Sequence, residues 1–283
     1  MAAQYDFSDI KRKINKTGKL VFDIETTGKT AKDKFVAIGY MWKRQDGSIV
    51  NGHYALSLIS DEEMAQLHHG DLSWFDIWHR KGFEIRCFTE FWHAKGKESL
   101  LETLNLLQTG DNVVKTEAEL ASRINRTIRD AEEHWNNELQ IVTNTTAYDT
   151  CWLHKLLVDY AFQPLDTTRT GTHRWSYEID SFALGAVGET PDTVIWRKVD
   201  SFTKCLQQLP VDLALHDHHP ANDAKAIFAQ FEAIEMFNAM VPMTFLNVLT
   251  ADDEYYKTRL EIHVAQIISR MDFMRELFKN LNK

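Results

Sequence analysis

The sequence predicts an α/β domain: one mixed sheet, opened by three antiparallel strands and continued by parallel βα units, with helices on both faces and a C-terminal helical extension. Three observations lead there. Three apolar runs of strand length follow one another through short connections, which suits antiparallel pairing. Helical periodicity then alternates with a further strand, the order of a βα unit. Finally, 283 residues, 44% of them hydrophobic and 26% charged, with only five prolines, describe a globular chain with room for a sizeable core.

Residues 19–25 (KLVFDIE) read as a strand that becomes buried, ending at Thr26-Thr27-Gly28. Residues 35–42 (FVAIGYMW) form a second apolar run. Asp46-Gly47 signals a hairpin turn, and residues 48–55 return as a third strand. Ser60 with Glu63, and later Thr116 with Glu119, have capping-box spacing and start helices. After the second box, Leu120, Ile124, Ile128, Ala131 and Trp135 recur at helical spacing. Residues 139–143 read as a strand and 149–160 as an amphipathic helix. Residues 177–184 read as a strand running into a helix, 223–240 as a strong helix and 252–283 as one more. Between 70 and 114 no periodicity holds, although seven rings (Trp74, Phe75, Trp78, Phe83, Phe88, Phe91, Trp92) rule out a floppy linker. With no repeat, low-complexity tract or linker, the expected organisation is an N-terminal segment (1–18), one domain (19–240) and a helical extension (241–283).

Cys87, Cys151 and Cys205 are far apart and form no C-x-x-C pair, so they read as small buried apolar residues. The formal net charge is −9, which counts against a module that only grips nucleic acid. It counts less against a site of carboxylates neutralised by divalent metal. Basic residues cluster at Lys11, Arg12, Lys13, Lys16 and Lys19, and again at Arg169, His173 and Arg174; both groups are expected to be solvated. The start of the chain has no secretory pattern and no apolar run reaches membrane-spanning length. The expected location is cytoplasmic (host cytoplasm if phage-encoded), or nuclear where there is a nucleus.

Asp23 and Glu25 are two apart on a strand otherwise made of Leu20, Val21, Phe22 and Ile24, so both carboxylates project from one face. Like charges buried side by side are costly unless a cation neutralises them, and hard oxygen ligands suit Mg²⁺ or Mn²⁺. A lone D-x-E is common and by itself reads as two solvated acids. Tyr148-Asp149 follows the 139–143 strand, and His218-His-Pro-Ala-Asn-Asp223-Ala224 places a histidine five residues before an aspartate. The run His216-Asp217-His218-His219 also raises a zinc cluster, disfavoured because its histidines are adjacent and no cysteine lies near.

The segment FDIETTG (22–28) resembles the first motif of the DnaQ-like (DEDDh) 3′→5′ exonucleases, and the Tyr148-Asp149 and His218…Asp223 pairs are similar to its later motifs. Phe88 to Glu98 (FTEFWHAKGKE) resembles the Phe-Trp segment of phage exonuclease A and related bacterial exoribonucleases, in which an aromatic pair opens a helix beside the cleft. Departures are Pro220, where Ala is frequent, and Thr145, where many members carry Asn; Asn144 lies one residue earlier. Ile179-Asp180-Ser181 resembles the strand after the second motif, with Asp180 structural or supporting.

The resemblance implies a ribonuclease H-like five-stranded sheet and a 3′→5′ exonuclease that releases nucleoside 5′-monophosphates from single-stranded DNA. The alternatives are an exoribonuclease with the same site and, behind it, an inactive nucleic-acid-binding module. It implies two Mg²⁺ or Mn²⁺ ions, about 3.5–4 Å apart, held by Asp23, Glu25, Asp149 and Asp223, with His218 as general base. Thr26, Thr27, Phe91, Trp92, Asn144 and Tyr148 would contact the substrate, with Phe91 or Trp92 stacking on the terminal base, although core packing is at least as good a reading of either ring. An apolar stripe (Leu260, Val264, Ile267, Ile268, Met271, Met274, Leu277) offers a homodimer surface, although packing on its own domain is the simpler expectation.

Overall fold

The computed structural model describes residues 17–29, 33–93, 98–136, 138–144, 146–171, 174, 176–179 and 218–240. Asp180, Cys205, the Lys11–Lys16 cluster, His173, His216 and the 260–277 stripe lie outside them. The strands are β1 (Gly18–Thr26), β2 (Phe35–Lys43), β3 (Ile49–Leu56), β4 (Val113–Val114), β5 (Leu139–Thr143) and β6 (Ser176–Glu178). They form one sheet in the order β4-β3-β2-β1-β5-β6. β1, β2 and β3 pair antiparallel, while β5 runs parallel to β1 and β4 parallel to β3. The predicted mixed α/β sheet, antiparallel strands continued by a parallel one, is therefore the observed one. Among the described residues it has six strands rather than five, because the two-residue β4 is too short to leave a periodic signal.

The helices are α1 (Asp61–His69), α2 (Trp74–Lys81), α3 (Ile85–Cys87), α4 (Glu98–Thr109), α5 (Glu117–His134), α6 (Cys151–Asp159) and α7 (Pro220–Met240). Two π-helical turns, Phe88–Trp92 and Thr146–Thr150, follow α3 and precede α6. The Ser60 capping box is complete. At Thr116 only half forms: its side chain accepts from Glu119 N, while Glu119 reaches Lys115 N instead. The unassigned 70–114 stretch holds α2, started by a capping box at Ser73 and Asp76.

Two apolar cores cover the sheet. In one, Leu20, Phe22, Ile24 and Ile38 pack with Leu120, Ile124 and Ile128 of α5 and Leu153, Leu156 and Leu157 of α6. In the other, Val36, Ala37 and Ala55 pack with Trp74, Ile77, Trp78, Phe88, Trp92 and residues of α4. Rings without periodicity thus build a core of short helices. Two compact units are distinguished. The first is Gly18–Ser176 with Ala214–Ala226, and it contains every residue of the candidate site. In the second, Tyr177 meets Phe231 edge to face at 5.7 Å.

Candidate active site

β1 is buried along its whole length, so Asp23 and Glu25 are carried into the protein on the strand that anchors the sheet. The β1–β2 register shifts between Glu25 and Thr26, and such bulges re-aim side chains beside functional sites. The segment after Glu25 is pinned by the aromatic core. Trp92 Nε1 donates to Thr26 O and Trp78 Nε1 to Thr27 O, each at 3.2 Å. Thr27 Oγ1 donates to Asp33 Oδ1 at 3.1 Å and accepts from Lys34 N at 2.9 Å.

Asp149 arrives from the π-helical turn between β5 and α6 and is 3% exposed. Asp223 lies in the first turn of α7 and is 2% exposed. α7 begins with Pro220, whose missing N–H and fixed φ suit that position. His219 O accepts from Asn222 N and Asp223 N at 2.8 and 3.0 Å. Just ahead, His218 has φ +60°, a left-handed conformation costing a residue with a Cβ roughly 1–2 kcal/mol.

These elements bring together the residues singled out by spacing. Glu25, His218 and Asp223 each place a ligand-type atom within 4.8 Å of the other two. His218 Nδ1 is 3.9 Å from Glu25 Oε1, and Phe91 stands edge-on to the His218 ring at 4.9 Å. Burial pushes the Asp23 carboxyl well above the usual range, and the charges of Asp149 and Asp223 push it further. Burial does the same to Glu25, with the charges of Asp23, Asp223 and Asp149 adding to it. Asp23 Oδ2 is buried without a hydrogen-bond partner among the described residues. Such an oxygen among four acids is the donor set a hard divalent cation takes, so the residues present fit Mg²⁺ or Mn²⁺.

A cleft of about 530 Å³ adjoins the acids, lined by Glu25, Thr26, Lys29, Arg86, Phe91 and Tyr148 among others. Tyr148 OH is hydrogen-bonded to Thr26 Oγ1 and lies 3.4 Å from Gly28 O. Burial pushes its pKa up to about 12, so it stays a neutral donor. Asn144 is half-buried just past β5.

Two expected substrate contacts are not open. Trp92 and Thr27 are fully buried, the indole as a core ring and the hydroxyl as a turn tie, so Phe91 alone of the aromatic pair lines the cleft. That pair closes a helical stretch after α3 instead of opening one. Lys29 and Arg86 in the cleft carried no sequence signal, because a single surface cation is unremarked until the fold places it.

Three further expectations are corrected. Lys19 is 5% exposed because β1 is internal. Arg174 is also buried and pairs with Glu132, so of the second basic group only Arg169, bound to Glu133, is described at the surface. Cys151 is exposed and Cys87 half-buried, both as free thiols; the outward face of α6 and the cleft wall place them there. Among the described residues, no helix is long and apolar enough to cross a membrane.

No protein-family model and no curated protein matches the chain. Among solved structures, the chain is similar to the zinc-bound form of Escherichia coli ExoI in complex with single-stranded DNA. The identity is 14% and the TM-score 0.44, over 86% of this chain and 45% of that one. It is also similar to E. coli exonuclease I with a dA16 oligonucleotide, at 11% identity and TM-score 0.40, over 78% and 42% of the two chains. The chain thus spans less than half the length of either neighbour. Likeness at this level assigns neither activity nor substrate.

Proposed function

We propose that the chain is a metal-dependent 3′→5′ exonuclease acting on single-stranded DNA, and that residues 19–240 carry the activity. The observation that carries this reading is the convergence of four buried carboxylates, Asp23, Glu25, Asp149 and Asp223, beside the imidazole of His218. Isolated from cation, such a cluster opposes its own ionisation, and a bound divalent ion relieves that cost. The motif resemblance adds the direction of digestion and the preference for DNA.

In this reading, Asp23, Glu25, Asp149 and Asp223 hold two Mg²⁺ or Mn²⁺ ions. Bound there, the ions supply the positive charge that offsets the developing charge of the phosphodiester. His218 accepts the proton of the attacking water; Nδ1 faces Glu25, and the proposed acceptor is Nε2. Phe91 takes the terminal base on its ring face, worth about 1–3 kcal/mol, while Tyr148, Thr26 and Asn144 border the sugar. Lys29 and Arg86, both in the cleft, take phosphates. The bond broken is the one between phosphorus and the 3′ oxygen of the penultimate nucleotide, so the product is a nucleoside 5′-monophosphate. A cytosolic setting accords with the free thiols Cys87 and Cys151.

The test uses purified protein with 5′-labelled single-stranded DNA and RNA of one sequence, in Mg²⁺, Mn²⁺ or chelator, beside Asp23→Ala. A metal-dependent ladder shortening from the 3′ end, absent in the variant, is expected, with DNA cut faster. Faster loss of the RNA would replace the substrate. Cleavage of neither strand with any metal would remove the enzyme reading.

A further inference from the structure

We propose that Gly39 is a positioning residue: its missing side chain opens a seat on the sheet for the backbone of Pro220 and Ala221, and that seat fixes where His218 and Asp223 meet Asp23 and Glu25. The proposal rests on the exonuclease reading for the roles of these groups.

Asp23 on β1, Gly39 on β2 and His53 on β3 stand in one row across the sheet. Directly paired residues of antiparallel strands share a face, so the row reads carboxylate, gap, imidazole. A Cβ on Gly39 would lie 1.8 Å from Pro220 O, 2.1 Å from Pro220 C and 2.7 Å from Ala221 N. All three are backbone atoms, so no rotamer change relieves the contact. His53 closes the far side, its ring 4.8 Å from that of His219 and nearly perpendicular to it. Gly39 is not among the positive-φ glycines. A glycine inside a strand weakens it and marks close approach of another backbone, and that approach is what the seat provides.

Both reactive groups hang on the seated segment. His218 immediately precedes it, held in a left-handed conformation. Asp223 is tied to it through His219 O. A methyl at position 39 forces Pro220 back by more than 1 Å to reach even a 3.0 Å contact. Misplacement on that scale costs a catalytic constellation about 100-fold.

The experiment compares Gly39→Ala with Gly52→Ala, a matched change in β3 whose added Cβ would meet only the tip of the Tyr40 side chain. Both are made in the full chain. The readouts are Mn²⁺ affinity without substrate, kcat and KM on a single-stranded oligonucleotide, and thermal unfolding. The expected result for Gly39→Ala is folded protein, Mn²⁺ binding at least ten-fold weaker and kcat about 100-fold lower, with KM changed less than about three-fold. Gly52→Ala should keep Mn²⁺ affinity and kcat, since its clash lies away from the seat.

Equal Mn²⁺ affinity and kcat in Gly39→Ala and wild type would overturn the proposal and leave the nuclease reading standing. So would parallel losses in both variants, which would mark a general strand effect. If the wild type cuts no nucleic acid but Gly39→Ala alone loses Mn²⁺ affinity, the seat stands and the nuclease reading falls. Should Gly39→Ala fail to fold, His53→Ala decides: removing the wall of the seat should weaken Mn²⁺ binding in the same direction, and unchanged affinity overturns the proposal.

Discussion

Glu25 Oε1 lies 3.9 Å from His218 Nδ1, so a carboxylate from the central strand and an imidazole from the approach to α7 face one another at the edge of the acidic cluster. If His218 is the base, His218→Asn removes the proton acceptor and leaves the four acids in place. The expected outcome is a kcat about 10²–10⁴-fold lower, with Mn²⁺ affinity within a few-fold of wild type. A kcat within a few-fold of wild type would assign the proton transfer to another group.

The acids themselves should cost stability. Asp23 and Glu25 have folded-state pKa values above their ordinary ones, first through burial and then through mutual repulsion. A carboxyl with a raised folded pKa binds its proton more tightly folded than unfolded. Its contribution is therefore fully present below the ordinary carboxylate range and is lost as pH rises through the raised value. In chelator, the melting temperature should fall as pH rises above the ordinary carboxylate range, and Mg²⁺ should restore it. Asp23→Asn should flatten that dependence, raise the chelated protein's melting temperature and cut kcat by about 10³-fold, the several kcal/mol of charge stabilisation a metal site supplies. Scanning calorimetry against pH checks the first two. A variant that melts lower than wild type in chelator would contradict the account.

The neighbouring rings should separate cleanly. Phe91 lines the cleft and Trp92 is fully buried with its Nε1 on Thr26 O. Phe91→Ala should raise KM for an oligonucleotide about ten-fold with little change in melting temperature, the scale of one stacked base. Trp92→Ala should destabilise the fold by about 3–5 kcal/mol. Denaturant titration beside steady-state kinetics distinguishes them, and equal effects on KM would restore Trp92 as a contact.

Arg174 and Glu132 form an ion pair with both side chains nearly fully buried; Arg174 Nη1 also donates to Leu165 O. Removing one partner strands the other charge, so Glu132→Ala should cost about 3–5 kcal/mol. Replacing both by apolar residues of similar volume should cost less than either single change. A double variant as unstable as the sum of the singles would show the pair holding more than its own charges.

The strands and long helices were legible because their signals are local: alternation or continuity in β1 to β3, a periodic stripe in α5. Asp23, Glu25, Asp149, His218 and Asp223 stood out through spacing and motif resemblance, and the fold brings these groups together. What escaped the sequence depends on distant partners. Nothing near Arg174 announces Glu132, and nothing near Gly39 announces Pro220. The rings of the 70–114 stretch show no period because they sit on one short helix (Trp74, Phe75 and Trp78), the loop after it (Phe83) and a π turn (Phe88, Phe91 and Trp92). The sequence leaves Trp92 open between base platform and core ring, because an indole's chemistry is the same in a core and in a cleft.

The two π-helical turns have a further consequence. A π turn accommodates one residue more than the α-helix it interrupts, and one such turn carries Phe91 and the other Tyr148 and Asp149. Deleting a single residue from either would let the backbone relax into a regular helix. The helix beyond would keep its register, while the side chains inside the turn, Phe91 in one and Tyr148 with Asp149 in the other, would be re-aimed. Substitutions there would alter contacts one at a time, but a one-codon deletion would re-aim every side chain the turn presents to the cleft at once. These two five-residue stretches should therefore tolerate changes in chemistry far better than changes in length.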